Sequence, residues 1–172
     1  KAGANVRVIM THSAKEFITP LTLSVLSKNP VLSEFSSANG SWNNHVELGM
    51  WADVMVIAPA TADIMAKMAA GICDNLLLGV YLSAKCRVYF APAMDLDMYK
   101  HPSVAANIKK LVSFGNMLIP AEKGELASGL EGVGRMAEPE QILSQLQNDF
   151  KKKTPVHRQK SLGYSGTYIR KN

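Results

Sequence analysis

Two stretches of this chain finish alike. VIAPATAD runs from Val56 to Asp63 and YFAPAMDLD from Tyr89 to Asp97, each an apolar run ending Ala-Pro-Ala before a polar residue suited to cap a helix. Proline and a capping Thr61 or Asp95 follow from turn chemistry alone. The alanines do not, because small side chains at a strand end are what a flat ring needs to approach the backbone closely. With apolar Met94 beside them, they suit a planar nucleotide-like or flavin-like cofactor. His45, in NNHVELGMWADV, is the candidate general base, since only histidine has an unperturbed pKa near neutrality; a surface or capping role is its alternative. His12 and His101 lack further support. Asp95 and Asp97 form a carboxylate pair at the second corner, where capping accounts for Asp95 and nothing assigns Asp97.

The glycine-rich GELASGLEGVGRM, Gly124 to Met136, lacks the Lys-Ser/Thr ending of a phosphate-binding loop. It reads as a flap that closes over substrate, with Arg135 available for an anionic group. Cys73 and Cys86, in apolar surroundings, have no Cys-x-x-Cys spacing and no nearby His, so they are expected to be buried reduced thiols, with no metal site.

Positioning these residues calls for alternating elements. Strands are expected at Val6–Met10, Asp53–Pro59, Arg87–Ala91 and Asn116–Pro120. Helices are expected at Ser13–Phe17, Pro20–Ser27, Thr61–Cys73, Asp74–Ser83, Ser103–Phe114 and Glu138–Phe150, with a polar loop at Ser33–Asn44 and a helix end capped by Gly3 at the start. Alternation of this kind implies one parallel sheet with helices on both faces, whose ligands sit beyond the carboxyl ends of the strands.

The chain has 172 residues, 47% of them hydrophobic, which suits one domain with a substantial core. The expected division is a cofactor-binding domain over 1–150 and a polar linker or tail over 151–172. Much of the +5 net charge sits in that tail, and the body interleaves acids with bases, which argues against nucleic-acid binding. No stretch of about eighteen apolar residues occurs, so no membrane span is expected. Free thiols and no visible signal peptide lead to a cytoplasmic expectation.

Taken in order, HVELGMWAD, APATAD, AAGICDNLL, APAMDLDM and ASGLEGVGRM resemble the flavin-containing cysteine decarboxylases, and within them the branch acting on 4'-phosphopantothenoylcysteine in coenzyme A biosynthesis. The resemblance runs from about Gly3 to Phe150. It implies a flavodoxin-like (Rossmann-like) α/β three-layer sandwich that binds FMN, a homotrimer or dodecamer, and a fused synthetase domain. It also implies carboxy-lyase activity giving 4'-phosphopantetheine. Peptidyl-cysteine (lantibiotic-type) decarboxylases and non-catalytic flavin-binding regulators of the same fold are the alternatives.

Carried over by position, the essential histidine is His45. FMN contacts fall on Thr11, Ser13, Phe17, Ala58, Pro59, Ala60, Thr61, Ala93 and Met94. Substrate contacts fall on Asn75, Met98, Ala127, Gly129 and Arg135. Three departures stand out. The family's first strand, phosphate loop and first helix fall before Lys1. Asp95 stands where the family has Asn, and an ionised carboxylate can only accept hydrogen bonds and repels the substrate carboxylate unless protonated. Ser128 stands where the family has the Cys that donates a proton during return of electrons, and a hydroxyl is a far weaker acid than a thiol.

Overall fold

The computed structural model describes residues 3–36 and 40–151. Two compact units are present, Lys1–Glu138 and Pro139–Asn172. Of the second, the described part is helix α7, Pro139–Lys151. The sequence expectation for the tail after Lys151, and for the helix end at Lys1 and Ala2, lies outside the described residues.

The first unit begins with β1 (Val8–Ile9), a short 3-10 helix (Ser13–Glu16), α1 (Pro20–Ser27) and β2 (Val31–Leu32). It continues with α2 (His45–Trp51), β3 (Val54–Ala60), α3 (Ala62–Ala70), α4 (Leu76–Ser83) and β4 (Arg87–Pro92). It ends with α5 (Leu96–Lys100), α6 (Pro102–Ser113), β5 (Met117–Leu118), β6 (Glu122–Glu125) and β7 (Glu131–Arg135). β3, β4 and β5 form one parallel sheet in that order, and β1 and β2 form a second parallel pair. The expected single sheet is thus divided, because no described strand bridges β1 and β3. Both sheets nevertheless rest on one pair of helices: Ile9, Leu32 and Met55 all pack against Leu48 of α2 and Leu76 and Val80 of α4.

The main core lies around β3 and β4, where Ile57, Val88 and Phe90 meet Ile64, Met65, Met68 and Ala69 of α3 and Val104 and Leu111 of α6. The helical spacing of the α3 set fixes which face turns inward. α4, LLLGVYLS, has no such periodicity, because Leu78 belongs to this core while Leu76 and Val80 belong to the other. A helix buried on two sides reads as apolar all round. Gly49 permits the close crossing of α2 on α4: a Cβ there would lie 2.8 Å from the Ser83 carbonyl carbon.

Several boundaries differ from the sequence reading for local reasons. β3 continues through Pro59 to Ala60, with its register to β4 broken between Ile57 and Ala60, so Pro59 sits inside an irregular strand end and does not stop it. α4 starts at Leu76 because Asn75 caps it, its Oδ1 accepting from Leu78 N at 3.1 Å. The Ser33–Asn44 loop contains an isolated antiparallel bridge, Ser36 to Trp42. The glycine-rich segment is an antiparallel hairpin, β6 with β7. Among the described residues no helix is long and apolar enough to cross a membrane, and no cluster of His, Cys, Asp and Glu could hold a metal ion.

A small ion network joins α3 to the loop before α4: Lys67 Nζ lies 3.1 Å from Asp63 Oδ2 and 2.9 Å from Asp74 Oδ2. The hydrogen bond from Lys67 holds the Asp74 carboxyl below its ordinary range, and the bonds to Asp74 and Asp63 raise Lys67. A depressed carboxyl contributes stability above its unfolded pKa, about 4, and loses it as pH falls through the lower folded value. The urea midpoint is therefore expected to fall on acidification below about pH 4, with a shallower fall in Asp74→Asn. Identical acid limbs in the two proteins would show that the network contributes nothing.

Candidate functional site

The two Ala-Pro-Ala corners meet. Ala60 pairs with Pro92 across the sheet, and Ala93 N donates to Ala60 O at 3.2 Å. Ala58 and Pro59 are exposed, and Ala93 and Met94 are half-buried. Ala60 is fully enclosed, so what it offers to the corner is its carbonyl. Thr61 spends its hydroxyl on the cap of α3, accepting from Ile64 N at 3.3 Å. The result is a ledge of small and apolar side chains on a fixed backbone.

The hairpin docks on this ledge through its backbone. Met94 N donates to Gly134 O at 3.0 Å, and a Cβ at Gly134 would overlap the Met94 carbonyl oxygen. At Gly132 a Cβ would come within 2.7 Å of Leu96 Cδ1. Contact with the loop after β4 thus requires glycine at Gly134, where the neighbour is backbone, while at Gly132 it is the movable tip of Leu96. The turn is closed by Leu126 N to Leu130 O at 2.8 Å, with Gly129 at φ +80°, and it carries Ala127, Ser128 and Gly129 into solvent. Arg135 Nη2 pairs with Glu138 Oε1 at 2.6 Å, with both side chains half-exposed.

Asp95 occupies the N-cap position of α5 but its side chain makes no capping hydrogen bond, which corrects the capping expectation. α5 is only five residues long and its first turn is held instead by Tyr99 N to Asp95 O at 2.9 Å. Among the described residues the half-buried Asp95 carboxylate, next to Met94, is left unspent. Asp97 and Met98 are exposed on α5.

His45 is the first residue of α2, whose cap is Asn44: Oδ1 accepts from Val46 N at 3.1 Å and Glu47 N at 3.2 Å. Its imidazole is caged. Phe35 and Trp42 stack with centroids 5.7 Å apart, and His45 meets Phe35 edge-on at 5.6 Å and Trp42 at 6.3 Å. The cage is pinned by Asn43 N to Phe35 O at 2.7 Å and Asn43 Nδ2 to Glu34 O at 2.8 Å. Gly79 of α4 makes room, since a Cβ there would stand 2.9 Å from the Phe35 ring. His45 Nδ1 is buried with no hydrogen-bond partner among the described residues. Nδ1 is unpaired in either tautomer, and a ring that accepts a proton at Nε2 carries its own proton on Nδ1.

The structure thus brings together Ala58, Pro59, Ala60, Thr61, Ala93 and Met94. His45 stands in its own cage, and no hydrogen bond or ion pair among the described residues joins it to Asp95 or Ser128. Thr11 O accepts from Ala14 N at the start of the 3-10 helix that Ser13 opens, and the Phe17 ring is 90% exposed. Asn75 is held at the α4 cap, its Nδ2 on Asp74 Oδ1 at 2.9 Å. Sequence reasoning missed Phe35 and Trp42. The available signal was two large aromatics in an otherwise polar loop.

The family described as Flavoprotein matches residues 1–151. A cysteine/cysteine sulfinic acid decarboxylase from an unknown prokaryotic organism is 58% identical over 137 residues, covering 79% of this chain and 38% of the relative. The coenzyme A biosynthesis bifunctional protein CoaBC of Bacillus subtilis is 43% identical over 155 residues, covering 90% and 38%. The chain therefore spans about two fifths of the length of these curated relatives. Among solved structures, a cysteine-to-serine mutant of PPC decarboxylase complexed with pantothenoylaminoethenethiol superposes with a TM-score of 0.73 at 34% identity, covering 86% of this chain and 84% of that one. The FMN-dependent cysteine decarboxylase SpaF superposes with a TM-score of 0.69 at 29% identity, covering 83% and 78%. The parallel α/β fold is that of these flavodoxin-like proteins.

Docking of β7 on the ledge predicts a specific sensitivity. Gly134→Ala is expected to expel the hairpin from the Met94 carbonyl and destabilise the protein by about 1–3 kcal/mol, read as a lower thermal midpoint with faster proteolysis at Leu126–Leu130. A wild-type cleavage pattern in that variant would disprove the docking.

Proposed function

Because the chain belongs to the flavoprotein family, we propose that it is the FMN-binding part of an enzyme that decarboxylates 4'-phosphopantothenoylcysteine to 4'-phosphopantetheine. The observation that carries this reading is the joined pair of strand ends, where exposed Ala58 and Pro59 and half-buried Ala93 and Met94 leave a shallow apolar ledge at the carboxyl ends of two parallel strands. A planar ring fits a ledge with no bulky side chain in its way. FMN, when bound, supplies a two-electron acceptor for the cysteinyl group.

The chain's own groups then divide the remaining work. Ala58, Pro59, Ala93 and Met94 would support the ring, and the docked hairpin would exclude water. His45, its Nδ1 sealed by Phe35 and Trp42, has Nε2 left to take and return a proton. Asp95 has an unspent carboxyl at the corner where the substrate carboxylate would sit. It can receive that group as a donor only when protonated. Ser128, exposed at the hairpin turn, would deliver the last proton more slowly than a thiol.

A second reading is supported by the 58% identity to a protein named cysteine/cysteine sulfinic acid decarboxylase. There the substrate would be free cysteine or its sulfinate. In either reading we place the reaction in the cytoplasm and the chain in a homo-oligomer of trimeric order, joined to a synthetase domain in the first.

The protein is expected to carry flavin absorbance in the blue and to release carbon dioxide from 4'-phosphopantothenoylcysteine in preference to cysteine or cysteine sulfinate. His45→Asn should keep the flavin and lose about 10²–10⁴-fold in kcat. Preference for cysteine sulfinate would replace the first reading with the second. A protein that stays colourless after FMN is added, or His45→Asn with unchanged turnover, would overturn the site itself.

A further inference from the structure

The amino ends of β4 and β5 lie at the opposite end of the sheet from the Ala-Pro-Ala corners, and between them opens a cleft of about 420 Å³. This is within the usual range for a small-molecule site. Tyr81, Leu82, Ala84 and Lys85 line it from the end of α4, Cys86, Arg87 and Val88 from the start of β4, and Phe114, Gly115 and Asn116 from the turn after α6. Neither the ledge nor the His45 cage shares a residue with it.

Its chemistry is one-sided. Lys85 and Arg87 are exposed and make no ion pair among the described residues, and no acid lines the cleft. A third cation stands at the rim, where Lys110 Nζ lies 5.8 Å from the centroid of the Phe114 ring. Asp53, whose charge is felt at Cys86, is the carboxylate that opposes them, and it is not a lining residue.

At the back sits Asn116, 93% buried by its 7% residual exposure. Its amide nitrogen is fully used, donating to Tyr81 Oη at 2.9 Å and to Leu111 O at 3.0 Å. Its carboxamide oxygen accepts nothing among the described residues. Tyr81 Oη has accepted from Asn116 and therefore keeps its own proton to donate. That oxygen is not sealed from solvent, so water or a ligand can supply its donor. The cleft thus offers an acceptor at its back, a hydroxyl donor beside it, a half-exposed aromatic ring at its side and two or three unneutralised cations at its mouth.

We propose that this cleft binds a small organic phosphate bearing a flat ring with an N–H donor, of the kind of a purine nucleoside monophosphate. The N–H meets Asn116 Oδ1, Tyr81 donates to a ring or ribose acceptor, Phe114 packs on the ring, and Lys85 and Arg87 hold the phosphate. This inference does not depend on the decarboxylation, because the cleft is separate from the ledge.

The test is calorimetric titration of the protein with AMP in the presence of saturating FMN, with inorganic phosphate and adenosine as separate probes. AMP is expected to bind once per chain, more tightly than either probe, with a dissociation constant below about 1 mM. Lys85→Ala with Arg87→Ala should weaken AMP at least tenfold without changing the flavin spectrum or thermal midpoint. Phe114→Ala should weaken AMP and adenosine but leave phosphate unaffected. The proposal is overturned if no saturable AMP binding appears up to about 1 mM, if excess FMN abolishes AMP binding, or if the double variant binds AMP as the wild type does.

Discussion

Two backbone hydrogen bonds at the end of β4 hold the rest of the candidate site in place. Ala93 N on Ala60 O ties the second strand corner to the first, and Met94 N on Gly134 O ties the hairpin to both. Each uses an amide that a simple loop would leave to water, and consecutive residues reach in different directions to make them. The small residues around the corners follow from this. Any larger group at Gly134 would strike the Met94 carbonyl, and bulkier side chains at Ala58 or Ala93 would stand on the ledge itself. Burial of the core residues Phe90, Ile57 and Met65 beneath makes the two strand ends rigid enough for one bond each to matter.

The histidine is fixed by a different force. No hydrogen bond holds the His45 ring among the described residues; the stacked Phe35 and Trp42 and the bare Gly79 hold it by shape. An imidazole restrained by aromatic edges keeps its orientation without giving up a nitrogen to a carboxylate partner. That leaves one nitrogen sealed and one for chemistry. Asp95 shows the same economy: α5 starts without a side-chain cap, so among the described residues its carboxyl stays uncommitted at the corner where the two strand ends and the hairpin meet.

Much of this was legible in the sequence where a residue type has one local job. Thr61 as a cap, Pro20 at the start of α1 and the apolar runs of β3 and β4 each behave as their chemistry dictates, whereas the helix expected to reach Cys73 stops at Ala70 because Gly71 takes φ +72°. The ordered motifs gave the family directly, because five matches in sequence order fix a fold that composition cannot. What stayed hidden depended on contacts between distant segments. Glycines 132 and 134 look like loop residues until Leu96 and Met94 are seen against them, so the hairpin read as a flap that closes over substrate. Pro59 looked like a strand terminator, yet the strand continues irregularly to Ala60 because β4 is there to pair with it. Phe35 and Trp42 stand out as large aromatics in a polar loop, but the contact with His45 is visible only once the loop is folded.

The ledge is the centre of this account, and hydrogen exchange at the Ala93 and Met94 amides tests it most directly. Both amides are expected to be protected nearly as well as those of core strand β4, and to gain further protection when FMN is added, together with the Ala58–Thr61 segment. Exchange at the rate of an open loop, or FMN protection confined to other parts of the chain, would contradict it.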